Sequence, residues 1–146
     1  MASRNVEAFK AAHQAFNRRD FDAVVAAMAE DVTYQDRARN VTFQGRAGFK
    51  EFMQGWLTAF SNAQVSEPQY TDAGDVVIAE FIARGVNDGP LELLGATGKP
   101  VTFPLCEIMR FNDKGQVVSG SAYYDQLSIL AQLGHAQAPQ SASARV

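Results

Sequence analysis

Residues 104–134, with the sequence PLCEIMRFNDKGQVVSGSAYYDQLSILAQLG, decide the fold because they contain a strand, a turn, a second strand and a helix. In the first strand Leu105, Glu107 and Met109 share one face, and Cys106 lies on the other. This alternation is typical of a strand with one buried face. The predicted buried face therefore carries a carboxylate, that of Glu107.

A turn and a second strand follow this first strand. Gly115 ends the turn sequence NDKG because it can adopt a positive φ, so residues 116–124 should pair back as a hairpin. Asp125 can cap the next helix by accepting a backbone N–H, and Gly134 is suited to end that helix. The hairpin thus brings two tyrosines and an aspartate, residues 123–125, to its far end.

Another hairpin is predicted immediately upstream. Residues 65–71 and 76–86 alternate with a period of two around an Asp-Ala-Gly-Asp turn. Pro68 places the first of these strands at a sheet edge or at a bulge, because proline cannot donate to the ladder. Residues 87–100 are rich in Gly and Pro but contain three leucines, and we interpret them as a lid.

The N-terminal part of the chain is predicted to be mainly helical. Ser3 is suited to cap a helix whose apolar stripe includes His13 and Phe16, and a second, shorter helix should run to Asp31. Residues 32–36 then have the pattern of a short strand.

A polar connection, residues 37–45, precedes the strongest helical pattern in the chain, residues 46–60. Trp56 and Phe60 lie on the apolar face of this long helix, which should pack on a sheet. Residues 1–134 are predicted to form one domain. Residues 135–146, which are small and polar, are predicted to be a flexible tail.

This order of elements predicts the α+β class. We expect a conical barrel, in which a curved, mostly antiparallel sheet wraps around the long helix, with helices before it and a short helix at the C-terminus. The interior of such a cone is suited to bind a small apolar molecule. The residues predicted to bind this molecule are His13, Phe16, Trp56, Phe60, Phe81, Met109 and Ala122.

Composition limits the possible partners. The net charge is −3, and the 13 Lys and Arg residues form no basic cluster, which argues against nucleic acid. No segment is apolar enough to cross a membrane, and two histidines with one cysteine at no ligand spacing predict no metal site. The single Cys106 and a start without a signal-peptide pattern predict a cytoplasmic protein.

Three phrases of the sequence carry a family resemblance: DVTYQD, FQGRAGFKEFMQGW and RFNDKGQVVSGSAYYDQLSILAQLG. They resemble the SnoaL-like polyketide cyclases of the nuclear-transport-factor-2-like superfamily. The resemblance implies a conical α+β barrel, a homodimer formed through the outer face of the sheet, and chemistry without a cofactor. This superfamily includes isomerases, epoxide hydrolases and non-catalytic binders, so the resemblance does not fix the reaction.

The resemblance also bears on single residues. The histidine of the aldol-condensing cyclases falls on Glu107 here, and their general acid/base aspartate falls on Ala122. It implies that the usual proton-transfer pair of that family is not retained. Asp125 lines up with a second carboxylate of the cyclases that is not the catalytic one.

Glu107 is the first of four candidate catalytic residues. Burial disfavours the charged form of a carboxylate, so an acid on an apolar strand face is suited to proton transfer near neutral pH. The alternative is a structural ion pair with Arg84 or Arg110.

Asp36, Tyr34 and Tyr124 are the other three candidates. Asp36 and Tyr34 share strand parity, so a hydroxyl there can polarise a carbonyl while the acid moves a proton. Alternatively, Asp36 fixes the following turn. Tyr124 has the parity of Ala122 and should face the cone, and Tyr123 should face a dimer partner.

His13 and the outer face of the sheet leave further alternatives open. His13 is either a proton carrier or a satisfied residue of the pocket wall. An outer face with Ile108, Tyr123 and Val117 is predicted to be covered by a second copy of the chain.

Two classes of function follow. The first is a cofactor-free enzyme with cyclase, isomerase or hydrolase-like proton-transfer chemistry on an apolar carbonyl or cyclic compound. The second is a non-catalytic small-ligand-binding or dimerisation module of the same fold.

Overall fold

A computed structural model of the chain describes residues 3–137. The predicted tail, from residue 138 onward, lies outside the described residues, and its first residues, 135–137, have no regular structure and begin with a bend. Four helices and six strands follow one another in the order α1 Arg4–Asn17, α2 Phe21–Ala26, β1 Met28–Asp36, β2 Val41–Gln44, α3 Gly45–Ala59, β3 Gln64–Asp72, β4 Val76–Val86, β5 Pro100–Phe111, β6 Val117–Tyr123 and α4 Gln126–Gln132.

The six strands form one curved sheet in the order β2-β1-β6-β5-β4-β3. All neighbouring strands are antiparallel except β1 and β6, which run parallel. Helix α1 packs against β3 and β4, whereas α3 packs against β1 and β2. The predicted α+β cone around a long helix is therefore confirmed, and its interior lies between these two helices and the inner face of the sheet.

Local sequence signals set several of the element ends. Ser3 accepts a hydrogen bond from the backbone of Val6 at the start of α1, and Asp125 accepts one from Ser128 at the start of α4. Gly134 has a φ of 83°, the left-handed conformation that ends α4. Pro68 lies in edge strand β3 within a register shift, so both readings of this proline are confirmed.

Strand β1 begins earlier than the sequence predicts. Helix α2 ends at Ala26, and Met28 already belongs to the strand, so the prediction that the helix runs to Asp31 is wrong. Neighbouring elements stabilise the extended backbone here. The backbone N–H of Val117 donates to Ala27, and the guanidinium of Arg46 donates twice to the carbonyl of Met28.

Two further corrections concern segments that were predicted to be irregular. The polar connection contains β2, a short edge strand with mostly exposed residues, so it has no apolar pattern. Strand β5 begins at Pro100 rather than near Leu105, because Val101 and Phe103 pair with β4 and face the core.

A β-bulge in β6 corrects the predicted outer face of the sheet. Val117 is buried and faces inward with Gly120 and Ala122, whereas Val118 is exposed. The register shifts beside Val117, and the extra residue reverses the strand parity there. The prediction that Val117 lies on the outer face with Tyr123 is therefore wrong.

Candidate functional site

A cavity of about 100 Å³ lies between the helices and the inner face of the sheet. Its wall is largely apolar, and the exposed residues Gln64 and Arg84 are part of it, so it opens to solvent at their end. Ala122 is fully buried opposite Glu107 in the neighbouring strand and does not line the cavity. The other residues that the sequence predicts to bind a ligand do line it, namely His13, Phe16, Trp56, Phe60, Phe81 and Met109.

Glu107 is the acidic residue in the wall of this cavity. Strand β5 presents its side chain on the buried face, and the residue is 6% exposed. One carboxylate oxygen, Oε1, lies 2.8 Å from Nε2 of His13, and the other, Oε2, accepts a short hydrogen bond from the Tyr34 hydroxyl. Two elements distant in sequence, α1 and β1, therefore each bind one oxygen of the carboxylate.

The alternative of an arginine partner for Glu107 is wrong. Arg84 is exposed at the open end of the cavity and forms its ion pair with Glu67. Arg110 is exposed and pairs with Ser119 of β6. It follows Met109 by one residue, so its side chain lies on the face of β5 opposite to the buried one. Strand parity explains the position of Arg110, because even-numbered residues of β5 point away from the cavity that Glu107 faces.

His13 connects Glu107 with Tyr70. Its Nδ1 atom lies 2.7 Å from the Tyr70 hydroxyl oxygen, while Nε2 faces Glu107. The imidazole ring packs between Phe9 and Phe81, at centroid distances of 4.7 and 4.9 Å. Sequence reasoning placed His13 in the wall but missed Tyr70. The signal for Tyr70 was weak, because an edge strand rich in polar residues has no clear buried face.

Tyr34 is a fully buried donor to Glu107. Its ring packs on Phe49 and Phe52 at centroid distances of 4.7 and 4.6 Å. Gly120 makes room for this ring, since a Cβ atom there would lie 2.9 Å from it. Burial, followed by the nearby Glu107 carboxylate, raises the pKa of Tyr34 well above its usual value. Tyr34 therefore stays protonated and donates.

Asp36 belongs to a separate cluster. Its carboxylate accepts hydrogen bonds from the Tyr124 hydroxyl at 2.7 Å, from Arg39 Nε at 2.7 Å, and from the backbone of Ala38 and Arg39. Burial and then the hydrogen bond to Asp36 raise the pKa of Tyr124. The four candidate catalytic residues therefore form two hydrogen-bonded groups, Glu107 with Tyr34 and Asp36 with Tyr124. Of the four, Glu107 lines the cavity, and Tyr34, Asp36 and Tyr124 do not.

The loop that was interpreted as a lid packs on the end of α3. Asn87 is fully buried, and its side chain donates to the carbonyl of Ala59 and accepts from the backbone N–H of Thr97. Glu92 forms an ion pair with Arg39, whose guanidinium lies 5.7 Å from the ring centre of Trp56. None of the described residues that line the cavity belongs to this loop. The role of the loop as a lid therefore stays a prediction.

Two other features of the described residues concern metals and membranes. Within residues 3–137 no group of three or more His, Cys, Asp and Glu side chains is placed to hold a metal ion. None of the four helices in that part of the chain is long and apolar enough to span a bilayer.

The curved sheet around a helix, with an internal cavity, defines a fold of the nuclear-transport-factor-2-like class. Within that class the chain belongs to the SnoaL-like polyketide cyclase family, whose model matches residues 6–133. The resemblance noted in the sequence is therefore confirmed. No curated protein matches the chain.

Solved structures give the same assignment of the fold. A candidate polyketide cyclase from Xanthomonas campestris pv. campestris is 31% identical, with 89% of this chain and 96% of that chain covered at a TM-score of 0.80. A protein with a ketosteroid isomerase-like fold from Catenulispora acidiphila, in complex with trimethylamine, is 26% identical, with 88% and 92% covered at 0.75. A candidate SnoaL-like polyketide cyclase from Jannaschia is 20% identical, with 93% and 94% covered at 0.82.

Proposed function

We propose that this protein is an enzyme that moves a proton on a small apolar carbonyl or cyclic compound, as cyclases and isomerases do. The observation that supports the proposal is the carboxylate of Glu107, which lies in the wall of an apolar cavity and is held by two hydrogen-bond donors. A buried acid in a cavity is expensive to maintain and is typical of acid–base catalysis. Membership of a family of cyclases supports the same reading.

The hydrogen-bonding capacity of the two side chains supports Glu107, rather than His13, as the group that acts on the substrate. A neutral imidazole has one donor and one acceptor nitrogen, and both nitrogens of His13 already have partners, Glu107 and Tyr70. Each carboxylate oxygen has two lone pairs, so Glu107 can still accept a proton while Tyr34 and His13 remain bound to it.

In the proposed step, a proton moves between a carbon atom of the substrate and a carboxylate oxygen of Glu107. Glu107 removes a proton from a carbon next to the carbonyl group, and the electron pair of that C–H bond forms the double bond of an enolate. The same carboxyl group then delivers a proton, either the one removed or one exchanged with solvent, to the rearranged or cyclised product, so that there is no net gain or loss of protons. Tyr34 and His13 hold the charged carboxylate in position before it removes the proton, by donating hydrogen bonds to it.

The size of the cavity limits the substrate. An apolar cavity of about 150 Å³ holds benzene, and the cavity here measures about 100 Å³. The enclosed space therefore suits about one small ring, and a longer molecule would extend through the open end beside Gln64 and Arg84. The apolar wall favours a neutral compound.

Mass spectrometry of molecules that copurify with the protein tests this proposal. We expect the extract to contain a small, neutral, apolar carbonyl or cyclic compound. Incubating that compound with fresh protein should convert it to an isomer or a cyclised product faster than buffer does. Recovery of a bound compound that the protein never changes would contradict the proposal and would favour the non-catalytic binding module.

We also propose that the protein is a homodimer formed through the outer face of the sheet. Ile108 is partly exposed there, Val118 and Tyr123 are 37% and 44% exposed, and apolar residues of this kind are typical of an interface. Light scattering at micromolar concentration should give twice the mass of one chain, and the double change Ile108→Glu and Tyr123→Glu should give a single-chain mass. A single-chain mass for the unchanged protein would contradict this proposal.

We also propose that the protein is cytoplasmic. Cys106 is half-buried on the side of β5 opposite to Glu107, and burial raises the pKa of its thiol. Cys106 is the single cysteine of the sequence and cannot form an internal disulfide, which fits a reducing compartment.

A further inference from the structure

The Tyr70 hydroxyl forms the outer end of a row of hydrogen bonds that starts at Glu107. The row runs from Glu107 Oε1 to His13 Nε2 over 2.8 Å and from His13 Nδ1 to the Tyr70 hydroxyl over 2.7 Å. Glu107 and His13 are buried, whereas Tyr70 is half-buried on edge strand β3. The row therefore leads from the cavity wall to the edge of the sheet.

The chemistry of the three groups fixes the direction of each hydrogen bond when Glu107 is ionised. A carboxylate only accepts, so His13 Nε2 must carry the ring proton and donate it to Glu107. Nδ1 of the neutral ring is then an acceptor and receives the hydrogen bond from Tyr70. Burial and then the Glu107 carboxylate raise the pKa of Tyr70 to about 12, which keeps its hydroxyl proton in place.

Delivery of a proton to Oε1 of Glu107 through His13 reverses both hydrogen bonds. A protonated Oε1 donates to Nε2 of His13, so the ring proton must be on Nδ1 and must point at the oxygen of Tyr70. The Tyr70 hydroxyl then donates outward. The two states differ by one proton: it enters at Tyr70, the Tyr70 proton moves to Nδ1, and the Nε2 proton moves to Glu107. His13 and Tyr70 begin and end neutral.

We propose that His13 and Tyr70 are a proton relay that connects Glu107 with solvent while the cavity is occupied. A ligand that fills the apolar cavity excludes water from Glu107 on that side. Tyr34, the other partner of Glu107, is 1% exposed and leads no further toward the surface. The need for the relay rests on the proposed function of Glu107, but the proton path itself does not. In this scheme His13 and Tyr70 carry protons between Glu107 and solvent and take none from the substrate.

The substitution Tyr70→Phe tests the relay without any substrate. Phenylalanine keeps the ring, which packs at 5.7 Å from Phe9, and removes only the hydroxyl group. In protein with ¹⁵N-labelled histidine, magnetisation transfer from water measures how fast the ring N–H proton of His13 exchanges. We expect the substitution to slow this exchange by about tenfold or more, which corresponds to a barrier higher by about 1.4 kcal/mol.

Tyr123→Phe is the matched control, because Tyr123 is an exposed tyrosine on the outer face of the sheet. Exchange at His13 should be the same in this variant as in the unchanged protein. An exchange rate at His13 that stays the same or rises in Tyr70→Phe would overturn the relay. If Tyr70 only packs on His13, it shields the ring from water, and altering it would not slow the exchange. If Tyr70→Phe slows the exchange but the unchanged protein converts no substrate, the relay stands and the proposed function is contradicted. If the protein converts a substrate but Tyr70→Phe does not slow the exchange, the proposed function stands and the relay is contradicted.

Discussion

Asp36→Ala should lower the free energy of unfolding by about 3 to 5 kcal/mol, because removing one partner of a buried ion pair strands the other groups. Asp36 is 1% exposed and accepts four hydrogen bonds. Alanine leaves the Tyr124 hydroxyl, the guanidinium of Arg39 and two backbone N–H groups without this acceptor. Thermal and urea unfolding, followed by circular dichroism, measure the effect.

Glu92→Ala is the matched control for Asp36→Ala. Glu92 binds the same guanidinium of Arg39 from the other side, but its side chain is 59% exposed. A solvent-exposed ion pair contributes about 0 to 1 kcal/mol, so this variant should unfold nearly as the unchanged protein does. Equal, small effects of both substitutions would contradict a structural role for Asp36 and would favour the catalytic role first predicted for it.

Glu107→Gln should lower kcat by about 10² to 10⁴, the usual contribution of a general acid or base. Glutamine has nearly the shape of glutamate but cannot take up a proton from the substrate. Binding of the compound recovered from the cavity should change little, because the apolar wall is intact. Steady-state kinetics with that compound, together with its dissociation constant from calorimetry, separate the two effects.

Stability is the second readout for Glu107→Gln. The amide oxygen can accept from Tyr34, and the amide nitrogen can donate to His13 once that ring changes its tautomer. We therefore expect a loss of no more than about 2 kcal/mol, which is the scale of a hydrogen bond to a charged group. Glu80→Gln is the control, since Glu80 is an exposed acid on the neighbouring strand. Full activity of Glu107→Gln would contradict the assignment of Glu107.

Strand periodicity predicts the part of the fold that lies in the central hairpins. Strand β4 has the predicted bounds, Val76–Val86, because its alternation is long and one of its faces is buried. The same rule places Glu107, Tyr34 and Asp36 on the inner face of the sheet. These predictions succeed because burial of one face depends on residues close in sequence.

Features that depend on contacts distant in sequence could not be predicted in this way. Strand β2 is short and mostly exposed, and among the described residues it pairs with β1 alone, so no local pattern marks it. The bulge beside Val117 reverses strand parity without any sequence signal that alternation can detect. The pairing of His13 with Glu107 joins residues 94 positions apart, and only the packing of α1 on the sheet brings them together.

Deuterium exchange tests most directly the central claim that Glu107 moves a proton on a molecule in the cavity. The protein is incubated in D₂O with small cyclic ketones, and proton NMR follows the loss of hydrogen from the carbons next to the carbonyl group. The account predicts that the unchanged protein and Glu80→Gln accelerate this loss for the ketones that bind, and that Glu107→Gln slows it by about 10² to 10⁴. Ketones that bind in the cavity and exchange no faster than in buffer would contradict it.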